Sequence, residues 1–298
     1  MRIPADAIAV AERAFSDANR SVAERMCRMP NVWETALDQA LIERIAAHGG
    51  PVRVGSGWTV RIETHFLGGG RHFGSWEIAD LGILVVVREN GHVRRSKVGL
   101  LQSKRLYPVE VSMDEAEDFH YISGIFRLWE NVEIAVEASR PTVFRFSQDS
   151  EYKQLLSGDE QVTRIRNFEQ SRGASVEYLL YNPMDIPWEQ AHPLVEPIGL
   201  PPENRLGCRV VSSGAVRDCL SKLQGGSSLK LGTLRRELPS PYTRSPNRVG
   251  RTLESYVSRL ISCQEGYSFT GDDGILSILG RRTGPIAAGI GITFEAPT

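Results

Sequence analysis

Several features that would point directly to a chemistry are missing from this sequence. There are four cysteines, Cys27, Cys208, Cys219 and Cys263, and none stands in a CxxC spacing. A disulfide framework or a zinc site is therefore not expected, and the thiols are read as reduced core or surface groups. No serine-centred elbow, HExxH pair or dinucleotide fingerprint occurs. The run Gly68-Gly69-Gly70-Arg71-His72 lacks the Gly-Lys-Ser/Thr ending of a P-loop and precedes a strand rather than a helix, so it is read as a turn. His65 and His72 have no partner at metal-ligand spacing. Neither sign of charge prevails: 35 Lys and Arg against 36 Asp and Glu give a formal net charge of −1. That argues against a broadly basic surface but leaves room for a local basic groove. No long apolar run opens the chain, so neither a signal peptide nor a membrane span is expected, and the cytoplasm is the expected location.

What is present is a folded-protein composition, 41% hydrophobic and 24% charged in 298 residues, enough for one large domain or two small ones. Pro4 and an alanine-rich stretch predict a helix over 5–27. Trp33, Leu37, Leu41 and Ile45 recur every four residues and predict a second over 32–47, closed by His48-Gly49-Gly50. The pattern then changes to strands over 58–66, 76–87 and 94–104, with Asn90-Gly91 marking a hairpin between the last two. Further helices are expected over 114–129 and 160–172, and strands over 141–146 and 175–183. Six prolines mark 183–206 as a long connection. The last part carries strands near 208–212 and 290–295 and helices near 215–223 and 253–263. Gly271-Asp272-Asp273-Gly274 is read as a turn.

The hairpin gives the strand pair its interest. It sets Asp80 beside Gln102 at one end of a sheet, and Gln102 and Lys104, two apart, face the same way. An acid, an amide oxygen and an ammonium on one face make a plausible divalent-metal site with an adjacent water-activating cation. The bland alternative is that Asp80 caps a strand end and that Gln102 and Lys104 are outward residues of an alternating strand.

A helix, three strands, an Asp on the second strand and Gln-x-Lys on the third resemble the PD-(D/E)xK nuclease superfamily. The glutamine variant is similar to Mrr-type restriction endonucleases and to nuclease effectors of bacterial anti-phage systems. The resemblance covers roughly residues 30–182. It implies an α/β fold with a restriction-endonuclease-like core, a mixed central sheet flanked by helices. Residues 1–182 are then the core, 183–206 a connection, and 207–298 a C-terminal α/β extension for substrate engagement or assembly. The resemblance implies a metal-dependent DNA endonuclease of a prokaryotic defence or restriction system, using Mg²⁺ or Mn²⁺. Asp80 and Gln102 would supply side-chain ligands, and the Ser103 carbonyl, or water, would fill further positions. Lys104 would position or deprotonate the attacking water. The superfamily usually adds a helix glutamate, for which Glu34 is first choice, with Glu43 and Glu63 as competitors. A neutral Gln102 in place of the commoner acid keeps a second reading open: a catalytically inactive protein of this fold that binds nucleic acid or a partner.

Two arginine-rich stretches are candidate phosphate-tracking surfaces. Arg94, Arg95 and Arg105 lie around the hairpin. Arg248 and Arg251 flank Gly250, where the backbone could approach a phosphate closely. DNA is the expected partner, with a second copy of the chain or a defence-complex subunit as a further one.

Overall fold

The computed structural model describes residues 2–66, 78–112, 142–192, 206–238, 249–268 and 286–297. In chain order the elements are α1 (Ala5–Arg28), α2 (Glu34–Ala46), β1 (Gly50–Arg53), β2 (Thr59–Phe66), β3 (Ala79–Glu89), β4 (His92–Arg105), β5 (Val109–Ser112), β6 (Thr142–Phe146) and β7 (Glu151–Leu156). There follow α3 (Glu160–Arg172), β8 (Val176–Tyr181), β9 (Trp188–His192), β10 (Arg209–Ser212), α4 (Ser213–Ser221), β11 (Ser228–Lys230), α5 (Leu231–Glu237), β12 (Arg251–Thr252), α6 (Leu253–Ile261), β13 (Tyr267–Ser268) and β14 (Ile286–Glu295). The helix expected over 114–129, the Gly68–Gly70 turn and the Gly271–Gly274 turn lie outside the described residues. Among the described residues no helix is long and apolar enough to cross a membrane.

Local chemistry accounts for several boundaries. Asp159 starts α3 by accepting a hydrogen bond from the Gln161 amide, and Gly173 ends it in the left-handed region at φ 66°. Asn90 and Gly91, at φ 51° and 77°, form the two-residue turn that joins β3 to β4. In α1 the residues Ala7, Ala11, Ala14, Phe15, Ala18 and Val22 all face inward, and the alanines among them let the helix lie close to its neighbours.

The fold is mixed α/β, with a central sheet in the order β1-β2-β14-β3-β4-β8-β10-β12 and β13 paired to part of β4. Strand β14 runs antiparallel to β2 and parallel to β3, and β4 runs parallel to β8. Helices α1, α2 and α6 pack together against this sheet, with α2 and α6 both meeting β4, while α4 packs on β8 and β10 with α3 beside it. Leu81 pairs with Leu101, so the expected antiparallel hairpin is present in the register that sets Asp80 beside Gln102.

The expected division at 183–206 does not separate two sheets. Residues 286–295 supply β14, which fills the gap between β2 and β3, and β10 and β12 extend the same sheet beyond β8. A period-2 apolar strand near the end of a sequence reads the same whether it closes an earlier sheet or starts a new one; only the long-range pairing decides. Within the Pro-rich connection, Trp188–His192 forms β9 and pairs with β6 in a small separate sheet.

Gly250 also takes a different role from the one expected. It sits at φ 60°, and a Cβ there would stand 2.4 Å from the Val210 carbonyl oxygen. The glycine permits close approach of one backbone segment to strand β10, not to a ligand. Gly250→Ala is expected to cost about 2 kcal/mol or more of stability. A urea melt that left the midpoint unchanged would contradict this packing.

Candidate active site

Strand β4 lies between β3 and β8, and from Ser96 onward every residue of it is buried. Its last turn of sequence is nevertheless polar: Gln102, Ser103, Lys104 and Arg105 are each 3% exposed or less. Burying such groups is costly unless each finds a partner. The view of Gln102 and Lys104 as outward residues of an alternating strand is therefore excluded.

Their partners come from β3 and from the start of α2. Asp80 Oδ2 accepts from the Ser103 amide at 2.7 Å, from Ser103 Oγ at 2.8 Å and from Gln102 Nε2. Lys104 Nζ lies 3.4 Å from Glu34 Oε1 and donates to the Ser103 carbonyl at 2.8 Å. The other Glu34 oxygen accepts from the Arg105 amide at 2.9 Å. Of the three candidate glutamates, Glu34 is the one brought to Lys104. Glu43 is exposed and bonded to Gln39, and Glu63 lies exposed on β2 beside Arg61.

Asp38, one helical turn after Glu34, joins the same cluster and was not singled out in the sequence. Its Oδ1 accepts from Tyr181 Oη at 2.6 Å, and its Oδ2 stands 3.0 Å from Ser103 Oγ. The available signal was the stripe Glu34, Asp38, Leu41, Ile45, in which two acids continue the buried face of an amphipathic helix.

Burial raises the Glu34 carboxyl above its ordinary range, the Lys104 ammonium pulls it back, and Asp80 adds to the rise. Asp38 is raised well above the usual carboxylate range, first by burial and then by the nearby Asp80 charge. A serine hydroxyl has one hydrogen, yet Ser103 Oγ sits within hydrogen-bond distance of both Asp38 and Asp80. A proton held on Asp38 satisfies both contacts: Asp38 donates to Ser103, and Ser103 donates to Asp80.

The donor set suits a hard cation, since it consists of carboxylates and an amide and contains no sulfur or imidazole. Gln102 Oε1 is buried and has no hydrogen-bond partner, an arrangement that a cation or a donor would relieve. Among the described residues, no group of three or more His, Cys, Asp or Glu side chains is arranged to hold an ion. Gln102 lies against Asp80 and Lys104 against Glu34; of the Ser103 carbonyl, expected as a ligand, the contact seen is the one from Lys104.

The arginines separate into different roles. Arg105 was expected to contact nucleic acid, and the structure corrects this. Its guanidinium is buried, donates to the carbonyls of Pro30 and Val32, and stacks 4.1 Å over the Tyr107 ring. Arg94 is exposed and paired with Glu89 at 2.9 Å, and Arg95 donates to the Ile261 carbonyl at 3.1 Å. Both lie near the hairpin tip, eight and seven positions before Gln102, which is roughly 25 Å along an extended strand. Arg251 is paired with Glu265, and Arg248 lies outside the described residues.

Arg251 belongs to a second buried charge cluster, around Glu177 on β8. Burial pushes the Glu177 carboxyl up to about 7; Glu265 and Glu169 add to the rise, and Arg251 and Arg217 oppose it. Glu169 is itself held by Arg217 at 2.6 Å and by Ser213.

No protein-family model matches this chain, and neither the curated proteins nor the solved structures contain a match.

Two outcomes follow from these contacts. Arg105→Met leaves the Pro30 and Val32 carbonyls without their donor and is expected to cost about 2 kcal/mol or more, read as a lower urea midpoint. The salt dependence of any nucleic-acid binding should not change, because this side chain does not reach the surface; a reduced salt slope would restore the surface role. For Glu177 the folded-state pKa lies above its unfolded value. Its contribution is therefore fully favourable at pH below about 4.5, declines as pH rises and is lost once pH passes about 7. Glu177→Gln should melt near wild type at the acidic end and several degrees above it at pH 8. An equal difference at both pH values would show that Glu177 does not titrate in this window.

Proposed function

We propose that this chain is a divalent-metal-dependent nuclease with a restriction-endonuclease-like core, cutting DNA phosphodiester bonds in a prokaryotic defence or restriction system. The observation that carries this reading is the convergence at the end of β4 of Asp80, the unpartnered Gln102 oxygen and the Glu34–Lys104 pair. The resemblance to the PD-(D/E)xK pattern supports the same assignment.

In this reading Asp80 and the Gln102 oxygen would hold Mg²⁺ or Mn²⁺, with Glu34 beside them. A divalent ion at such a site polarises a phosphoryl oxygen and lowers the pKa of water. The chain's own contribution is positional and electrostatic. Lys104, fixed by Glu34 and the Ser103 carbonyl, presents an ammonium that orients the attacking water and offsets charge developing on the phosphate. Glu34 steadies that ammonium and ties α2 to the β4 backbone through the Arg105 amide. Arg94 remains the exposed candidate for backbone contact among the described arginines predicted for that role.

One observation favours the alternative of a catalytically silent protein that binds nucleic acid or a partner. Asp80 Oδ2 already receives three donors, so among the described contacts only its other oxygen is left to an ion.

The test is incubation of supercoiled plasmid, and separately of structured RNA, with Mg²⁺ or Mn²⁺. Wild type is expected to cleave DNA. Asp80→Asn and Lys104→Met, which keep side-chain volume, are expected to fold and to lose on the order of 10²-fold or more in rate. Near-normal cleavage by either folded variant would remove the assignment. Metal-independent binding without cleavage by wild type would favour the silent reading.

A further inference from the structure

The buried chain of contacts behind Asp80 has no counterpart in the sequence reading. Tyr181 Oη, on β8, lies 2.6 Å from Asp38 Oδ1; Asp38 Oδ2 lies 3.0 Å from Ser103 Oγ; Ser103 Oγ lies 2.8 Å from Asp80 Oδ2. The links come from four elements: β8, α2, β4 and β3. Tyr181 and Ser103 show no measurable exposure. The Ser103 amide adds a further donor to the same Asp80 oxygen.

We propose that Asp38 is a positioning residue, which acts through Ser103 to fix the orientation of the Asp80 carboxylate toward a divalent cation. This rests on the metal-dependent reading above. Every described donor to Asp80 falls on Oδ2, so the relay pins one carboxylate oxygen and thereby sets the direction of the other. Tyr181 performs the same service one step back: it holds Asp38 Oδ1 and leaves Oδ2 directed at Ser103. Asp38 thus orders a ligand without itself being one. An outer partner of this kind typically changes metal affinity by about 10- to 100-fold when removed.

The geometry makes an asymmetric demand on substitution. Asparagine at position 38 keeps an oxygen that accepts from Tyr181 and gains an amide that donates to Ser103, so the hydroxyl of Ser103 still points to Asp80. Alanine breaks both links. A residue serving as a metal ligand would show a different pattern, because replacing a carboxylate by an amide weakens ligation directly.

The experiment is calorimetric titration of Mn²⁺ into the full chain for wild type, Asp38→Asn, Asp38→Ala and Tyr181→Phe, with folding of each checked by circular dichroism and thermal melting. Asp38→Ala is expected to weaken Mn²⁺ binding by about tenfold or more, and Asp38→Asn by about threefold or less. Tyr181→Phe should fall between them, and maximal cleavage rate should follow the same order. Equal weakening by asparagine and alanine would make Asp38 a direct ligand and overturn the proposal. Unchanged affinity in a folded Asp38→Ala would overturn it as well, and would leave the nuclease reading standing. If Asp38→Ala does not fold, the Asp38→Asn and Tyr181→Phe pair decides: tighter retention of Mn²⁺ by the former supports the relay, and the reverse order overturns it. Absence of Mn²⁺ binding by wild type would overturn the metal-dependent reading itself and this relay with it.

Discussion

A central strand that ends in four buried polar residues imposes the constraint around which the rest of this site is arranged. Residues 102–105 cannot be left unmatched inside the sheet, and their partners are Asp80 on β3 and one short stretch of chain, residues 30–38. Arg105 holds the carbonyls that precede α2, Lys104 and the Arg105 amide hold Glu34, and Ser103 reaches Asp38. The helix is thereby fixed in both position and rotation against β4. A helix attached only by Leu37, Leu41 and Ile45 would be free to settle wherever apolar surfaces fit; one attached by directional bonds is not. The ion pair of Lys104 with Glu34 need not add net stability to have this effect, since desolvation offsets much of its attraction.

Much of the local structure was legible in the sequence because its causes are local. The Asn90-Gly91 turn, the Asp159 and Gly173 ends of α3, and the four-residue spacing of Leu37, Leu41 and Ile45 each correspond to an element close to the expected bounds. Short strands such as β1, β7 and β11 were not legible, because three to six residues carry too little periodicity to stand out from a loop. The placement of β14 was hidden for a different reason: its ten residues read as a strand, but nothing local states that their neighbours are more than 200 positions earlier. The C-terminal part was expected as an extension, yet its strands β10, β12, β13 and β14 belong to the main sheet.

The candidate site divides along the same line. Asp80, Gln102 and Lys104 are related by hairpin register and strand alternation, both written in the sequence; Gln102 is found against Asp80, and Lys104 against Glu34. Asp38 depends on how α2 is rotated against β4, and Arg105 on whether a charged side chain at a strand end turns outward or inward. A row of arginines has the same appearance in a sequence whether its members sit on the surface or bind backbone carbonyls inside. Here Arg105 does the latter, Arg251 is matched to Glu265, and Arg94 is left exposed beside Glu89.

The insertion of β14 between β2 and β3 also has a temporal side. A ribosome delivers β2 and β3 well before the strand that joins them, which follows more than 200 residues after its partners. During synthesis both strands present a long unpaired edge, the kind of surface that recruits other chains. The hairpin carrying Asp80 and Gln102 can form at once, but the sheet that holds it rigid against α2 closes only after residue 295 has emerged. A product that stops before residue 286 would carry Asp80 and Gln102 without the strand that joins β2 to β3.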